Sequence, residues 1–397
     1  MTDMNASDLQ EIIDWMVDGA RSAATPTAMM KECCERLVQA GLPLWRVGVF
    51  VRTLHPNIFG RSFTWRPETE VVVVVADFDA RQTPEFKRSP LAILYRTEQE
   101  VRYRLDDPAS MAFPLFDDMR AEGITDYIAI PLRYVEGTVH ASSWSTRQEG
   151  GFTDEQLNAL RKLVPALARY IEIISLRRTA TILLDTYVGN RAGERILGGQ
   201  IRRGHTETMH AAVWLSDLRG FTALSDRLPA ETVVDILNQY FDCQVDAIRS
   251  HGGEVLKYMG DGLLAVFPID EYVGDDRQVC SRVLEAARES RSLVADMQYA
   301  IGDTVERFRF GVALHVGPVL YGNIGGGNRL DFTCIGPAVN LAARLEKIAS
   351  RLHRTVVASE GFAGICSGGW SDLGEFPIAG FSKAQRVYGL LDEVPGI

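Results

Sequence analysis

Apolar positions recur at helical spacing from about Asp8 to Leu42, first at Ile12, Ile13 and Met16, then at Met30, Cys34 and Leu37. Strand-like runs follow at Arg46 to Leu54, Ser62 to Arg66, Glu70 to Phe78 and Glu98 to Arg104. A helix over Leu115 to Glu122 ends at Gly123, and two more strands span Tyr127 to Leu132 and Gly137 to Ser145. Thr153, with Gln156 three residues on, predicts a capping box opening a long helix. In that helix Leu160, Val164, Leu167, Ile171 and Ile174 form an a/d seam, which suits either packing on the domain's own sheet or a coiled coil with a second chain. Helix, antiparallel sheet and closing helix make an α+β domain over residues 1–178.

A polar, glycine-bearing stretch from Asn190 to Gly204 places a helical connector at 179–208. Beyond it the pattern changes. A strand over Ala212 to Leu215 leads into Asp217, and a helix over Ala230 to Ser250 carries Val233, Leu237, Phe241, Val245 and Ile248 on one face. Gly252-Gly253 stops it. Glu254 to Met259 and Leu263 to Phe267 flank Gly260-Asp261-Gly262, a hairpin signal. Asp275 to Ala300 is predicted helical with Val279, Val283, Ala287 and Val294 inward, Phe308 to Val316 a strand, and Gly322 to Asn328 a loop. Gly336-Pro337 starts a helix that puts Asn340 and Arg344 on one face at i and i+4. Strands return at Thr355 to Ala358 and Gln385 to Leu391. These elements define a second domain over 209–397, also α+β.

Strand, helix and hairpin can bring Asp217 and Asp261 side by side, and paired carboxylates near a nucleotide suit two Mg²⁺ ions about 3.5–4 Å apart. Either aspartate alone is equally a turn residue. At 397 residues, 46% apolar and 24% charged, the chain has material for two cores. The formal charge of −10 argues against a general nucleic-acid surface. The longest apolar run, around Val71 to Ala76, is far short of the ~20 residues of a membrane helix. The acidic, polar N-terminus predicts no secretory signal, and six scattered cysteines without zinc spacing predict buried free thiols in the cytoplasm.

Trp214-Leu-Ser-Asp-Leu-Arg-Gly-Phe-Thr222, Leu256-Lys-Tyr-Met-Gly-Asp-Gly262 and Leu330-Asp-Phe-Thr-Cys-Ile-Gly-Pro-Ala-Val-Asn-Leu-Ala-Ala-Arg-Leu-Glu346 together resemble the catalytic domain of class III adenylate and guanylate cyclases, over about Met209 to Leu391. The resemblance implies a ferredoxin-like βαββαβ fold and a homodimer that turns ATP into 3′,5′-cyclic AMP and pyrophosphate. It assigns two metal ions, Mg²⁺ or Mn²⁺, to Asp217, Asp261 and the carbonyl of Leu218. It gives Asn340 the ribose, Arg344 the α-phosphoryl charge, and Lys257 with Thr333 the adenine. Lysine donates to adenine N1 and a hydroxyl accepts from its amino group, whereas guanylate cyclases carry glutamate at the first position. Lys383 is a candidate for the terminal phosphates, since Ala379 stands where the family more often has a basic residue. The alternatives are a nucleotide-binding sensor or scaffold without turnover, and a guanylate cyclase. Residues 1–178, through the last strand pair and Gly-Phe-Thr-Asp-Glu-Gln-Leu, resemble a GAF sensor domain. That implies regulation by a small molecule, with a packing or dimerisation domain that takes no ligand as the alternative. Bicarbonate is a further candidate, because the Lys257/Thr333 pair resembles the bicarbonate-responsive subgroup.

Overall fold

A proline divides the first helical stretch. Thr25 Oγ1 accepts the Ala28 N–H at 3.1 Å, and Pro26 fills the first turn, where no N–H is needed. Helices α1 (Ala6–Val17) and α2 (Pro26–Gln39) result. The computed structural model of the protein describes residues 6–270, 273–301, 304–327 and 329–393. The chain divides into two units, Met1–Leu183 and Leu184–Ile397.

In the first unit β1 (Arg46–Arg52), β2 (Gly60–Trp65), β3 (Val72–Ala76), β4 (Val101–Arg104), β5 (Asp126–Arg133) and β6 (Val139–Thr146) form one antiparallel sheet, ordered β3-β2-β1-β6-β5-β4. Between β3 and β4 lie the short helices α3 (Pro84–Lys87) and α4 (Pro90–Thr97), each opened by a Thr-Pro or Ser-Pro cap that the apolar pattern does not reveal. Helix α5 (Leu115–Ala121) precedes β5. Helix α6 (Asp154–Val188) opens on the expected capping box: the Gln156 N–H donates to Thr153 Oγ1 at 3.2 Å, and the Thr153 N–H to Gln156 Oε1 at 3.0 Å. Leu160, Val164, Leu167 and Ile171 are buried in one cluster with Val47, Val49 and Trp144. The a/d seam therefore covers its own sheet over these positions.

The second unit contains α7 (Asn190–Leu197), β7 (Thr206–Leu218), α8 (Phe221–Arg227), α9 (Ala230–Ser250), β8 (Glu254–Met259), β9 (Gly262–Pro268), α10 (Asp276–Asp296), β10 (Gln298–Ile301), β11 (Thr304–Arg307), β12 (Phe310–Gly326), β13 (Arg329–Ile335), α11 (Pro337–Arg351), β14 (Val356–Ser359), α12 (Glu360–Ile365), β15 (Trp370–Phe376) and β16 (Gln385–Leu390). The main sheet runs β15-β16-β14-β12-β7-β9-β8, with β13 also on β12. Within it β7, α9, β8, β9, α10 and β12 follow the βαββαβ order, with strand neighbours β12-β7-β9-β8, as in ferredoxin-like folds. Alternation along β12 gives the sheet two cores: Val312 and Leu314 pack with α9 and α10, while Ala313 packs with Leu341 and Leu345 of α11. Ala192 of α7 is fully buried in one cluster with Val213 and Tyr321.

Two expectations are corrected. On helix α9 Val233 and Ile248 are buried as expected, but Ile236, Tyr240, Gln244 and Ala247 complete the buried face, while Leu237, Phe241 and Val245 pack only partly buried at its edge. Buried Gln244 accepts from Ser216 Oγ at 2.6 Å, a hydrogen bond that hydrophobic periodicity does not register. The glycine-rich stretch from Gly322 is strand rather than loop as far as Gly326, paired to β13 from Gly322↔Thr333 to Gly326↔Arg329; Asn328 lies outside the described residues. Glycine is needed there for close approach, since a Cβ on Gly322 would sit 2.2 Å from the His205 carbonyl oxygen. Among the described residues, no helix is long and apolar enough to cross a membrane.

Candidate active site

Asp217 is the penultimate residue of β7, a strand hydrogen-bonded on both sides. Its register partners are Gly262 on β9 and Gly311 on β12. The β8–β9 hairpin closes on the two residues Gly260-Asp261, because Met259 pairs with Gly262. Gly260 takes φ 67°, as the first position of such a turn requires. This register sets Asp261 beside Asp217, within hydrogen-bonding contact of its carboxyl. Burial, then the Asp261 charge and the Glu346 charge push the Asp217 carboxyl up to about 7, and Arg219 opposes them. A pair of adjacent carboxylates is the donor set a hard divalent cation takes, so the residues fit the metal that the family implies. Leu218 ends β7 with its side chain buried.

The sign of the pH dependence follows. The folded state holds the Asp217 proton between the unfolded value near 3.8 and about 7, so this group's contribution to stability falls as pH rises through that window and levels above it. A Mg²⁺ ion held by this carboxyl would compete with the proton. The rise in melting temperature on adding Mg²⁺ is therefore expected to grow with pH up to about 7 and then level. Thermal unfolding with and without Mg²⁺ across this range checks it, and a pH-independent Mg²⁺ effect would contradict it.

Arg219 and Glu346 were not singled out by the sequence as a pair. Arg219 Nη1 donates to Glu346 Oε1 at 2.6 Å, and Glu346 is only 6% exposed. The pair joins the loop after β7 to α11. Gly311 makes room for it, since a Cβ there would lie 1.6 Å from Arg219 Nη2. The two ends are 127 residues apart, and no local pattern links them.

Helix α11 begins at Gly336, with φ 139°, and Pro337. Its exposed face carries Asn340, Arg344, Lys347 and Arg351, as helical spacing dictates. Arg344, Lys347 and Arg351 line an open cavity of about 540 Å³ together with Asp217, Arg219 and Ala379. Facing that cavity, the cations come from α11 and Arg219, and Ala379 contributes none. Lys383 is exposed outside it, in the loop before β16.

Lys257 on β8 and Thr333 on β13 form a separate group. Lys257 Nζ lies 3.2 Å from Asp331 Oδ2. Thr333 is 5% exposed, and its Oγ1 is buried with no hydrogen-bond partner among the described residues. A hydroxyl left so costs about 1–3 kcal/mol, which a bound partner would recover. Asp331, two residues earlier on the same face of β13, is a further polar group at this place. Thus the Asp217 and Asp261 carboxylates, the Lys257 and Thr333 pair and the α11 face are three groups within one unit, and Arg344 shares a cavity with Asp217.

Residues 205–362 match the family model described as the adenylate and guanylate cyclase catalytic domain. The match lies wholly within the second unit, which is thus similar to a nucleotide cyclase catalytic domain. The chain is 31% identical over 186 residues to adenylate cyclase 1 of Rhizobium meliloti, covering 46% of this chain and 27% of the relative. It is 30% identical over 161 residues to the adenylate cyclase of Anabaena cylindrica, covering 40% of this chain and 31% of the relative. The chain therefore spans under a third of the length of these relatives. Among solved structures, an adenylyl cyclase from P. aeruginosa aligns at 25% identity with a TM-score of 0.41, covering 48% of this chain and 97% of that one.

Proposed function

We propose that the protein is an adenylate cyclase that converts ATP to 3′,5′-cyclic AMP and pyrophosphate between two copies of its second unit. The observation that carries this reading is the contact between the Asp217 and Asp261 carboxylates at the end of β7. In the reaction the ribose 3′ oxygen bonds to the α-phosphorus, the bond from that phosphorus to the β-phosphate oxygen breaks, and the hydroxyl proton is lost. Two divalent cations held by Asp217, Asp261 and the Leu218 carbonyl would supply positive charge at the 3′ oxygen and the phosphates. Asn340 orients the ribose. Arg344 sets a guanidinium where charge builds on the α-phosphoryl oxygens. Lys257 donates to adenine N1, and the Thr333 hydroxyl accepts from the amino group. The Lys257–Asp331 ion pair must open for this, and it is partly exposed, with Lys257 34% and Asp331 59% accessible.

A shared site is supported by the separation of these groups and by apolar surface next to them. Leu320 and Ile335 are cross-strand partners and both exposed, and Met259 at the hairpin is exposed too. Asp331 favours a second reading, as a guanylate cyclase, because a carboxylate accepts from guanine N1–H. The purified protein incubated with ATP or GTP and Mg²⁺ or Mn²⁺, followed by chromatography of cyclic nucleotide and pyrophosphate, tests both. No cyclic product from either nucleotide would leave a binding scaffold instead.

In this reading the first unit is a GAF-like sensor that controls the cyclase. The support lies at the start of the second unit, where Thr186, Val188 and Gly189 line a cavity of about 300 Å³ with Lys257, Tyr258 and Asp331. A displacement of that segment reaches the base-reading strand directly. A chain starting at Leu184 keeps α7, and it is expected to differ from the full chain in kcat or dimer affinity by several-fold. Equal values for both at matched dimer concentration would remove the sensor role.

A further inference from the structure

The first unit contains a cavity of about 80 Å³ between α2, the β1–β2 face and α6. A single water needs only about 10–15 Å³. Met30, Val49, Phe63, Trp144 and Leu167 make its walls apolar. The thiols of Cys33 and Cys34 add to the lining, and burial pushes that of Cys33 up to about 12, so it behaves as a small apolar group. Cationic groups also reach the cavity: Arg61 from β2 and Arg178 from α6, with Arg52 beside them.

Arg61 is half-buried, and its Nε is buried with no hydrogen-bond partner. Among the described residues no carboxylate pairs with Arg61 or Arg178. Their charges oppose each other: burial and then the Arg178 charge lower the Arg61 pKa. By contrast Arg102 is matched by Asp126 at 2.7 Å and Arg66 by Glu122 at 3.1 Å, while Arg81, also without a carboxylate, packs over the rings of Phe59, Phe86 and Tyr95. Two unmatched guanidiniums beside an apolar cavity leave a place for one negative head and an apolar body.

We propose that this cavity binds a small amphipathic oxyanion, with its apolar body against Met30, Phe63 and Trp144 and its carboxylate or phosphate head on Arg61 and Arg178. Arg61 lines the cavity, and a guanidinium can present two N–H groups in parallel, the geometry in which arginine takes an oxyanion through two bonds. Exposed Arg178 adds charge at the mouth. The inference deepens the sensor reading of the first unit by naming the chemistry of its ligand. Its test reads binding without turnover, so loss of the sensor role and loss of the ligand site are separate outcomes.

Calorimetric titration of the full chain uses octanoate, octyl phosphate, octanol and octyltrimethylammonium. One or both anions are expected to bind at least about tenfold more tightly than the alcohol and the cation, because a charged hydrogen bond is lost with either. The tighter of the two anions identifies the head group. Arg61→Gln is expected to weaken anion binding by about tenfold or more, Arg178→Gln by less, and Arg61→Lys to keep part of it by retaining charge without the fork. Arg61 is partly exposed, so the variants should keep the wild-type circular dichroism and melting curve, which establishes that any loss is local. Octanol binding as tightly as octanoate, anion affinity unchanged in Arg61→Gln, or no anion binding at millimolar concentration would each overturn the proposal.

Discussion

Equal mixing of Asp217→Ala and Asn340→Ala chains is expected to restore cyclic AMP production to about a quarter of the wild-type rate, although each variant alone falls by about 100-fold or more. The reason is geometric. If each site takes its carboxylates from one chain and Lys257, Thr333, Asn340 and Arg344 from the other, a mixed dimer places both lesions in one site and leaves the second site intact. Random pairing makes about half of the dimers mixed, each with one working site of two. Mixing Asp217→Ala with Asp261→Ala should restore nothing, because these lesions fall one in each site. Native mass spectrometry establishes that mixed dimers form. If they form and the first mixture stays inactive, the sites are not shared.

ATP is expected to exceed GTP in kcat/KM by more than about tenfold, since a base that leaves the Thr333 hydroxyl and the Lys257 ammonium unmatched forfeits buried hydrogen bonds of about 1–3 kcal/mol each. Lys257→Glu replaces the donor with an acceptor, and it should cut the ATP value by at least about tenfold while sparing GTP. Thr333→Val removes the buried hydroxyl that now lacks a partner. It should lower kcat/KM for ATP with little loss of folding stability, because the apolar replacement leaves no new group unsatisfied. Similar turnover of both nucleotides by the wild type, unmoved by Lys257→Glu, would remove Lys257 from base selection. It would point to Asp331 as the group that reads the base.

The sequence by itself determined what depends on near neighbours. The Gly260-Asp261 hairpin, the Thr153–Gln156 cap, the stop at Gly252-Gly253, the inward residues of α10 and the shared exposed face of Asn340 and Arg344 all follow from spacings of a few residues, and each appears in the structure. Local signals fail where a distant partner sets the outcome. Gln244 is buried where Ser216 meets it across the core, so the buried face of α9 takes in a polar position that its apolar residues do not predict. Gly322 to Gly326 is strand because β13 returns alongside, close enough that at Gly325 the backbone of Arg329 and Leu330 occupies the space of a side chain. The Arg219–Glu346 ion pair, the ion pair that occupies Lys257, and the unmatched guanidinium of Arg61 are likewise products of tertiary packing. Whether a charge is matched depends on which groups the fold brings within a few ångströms, and a chain read in order holds no record of that distance.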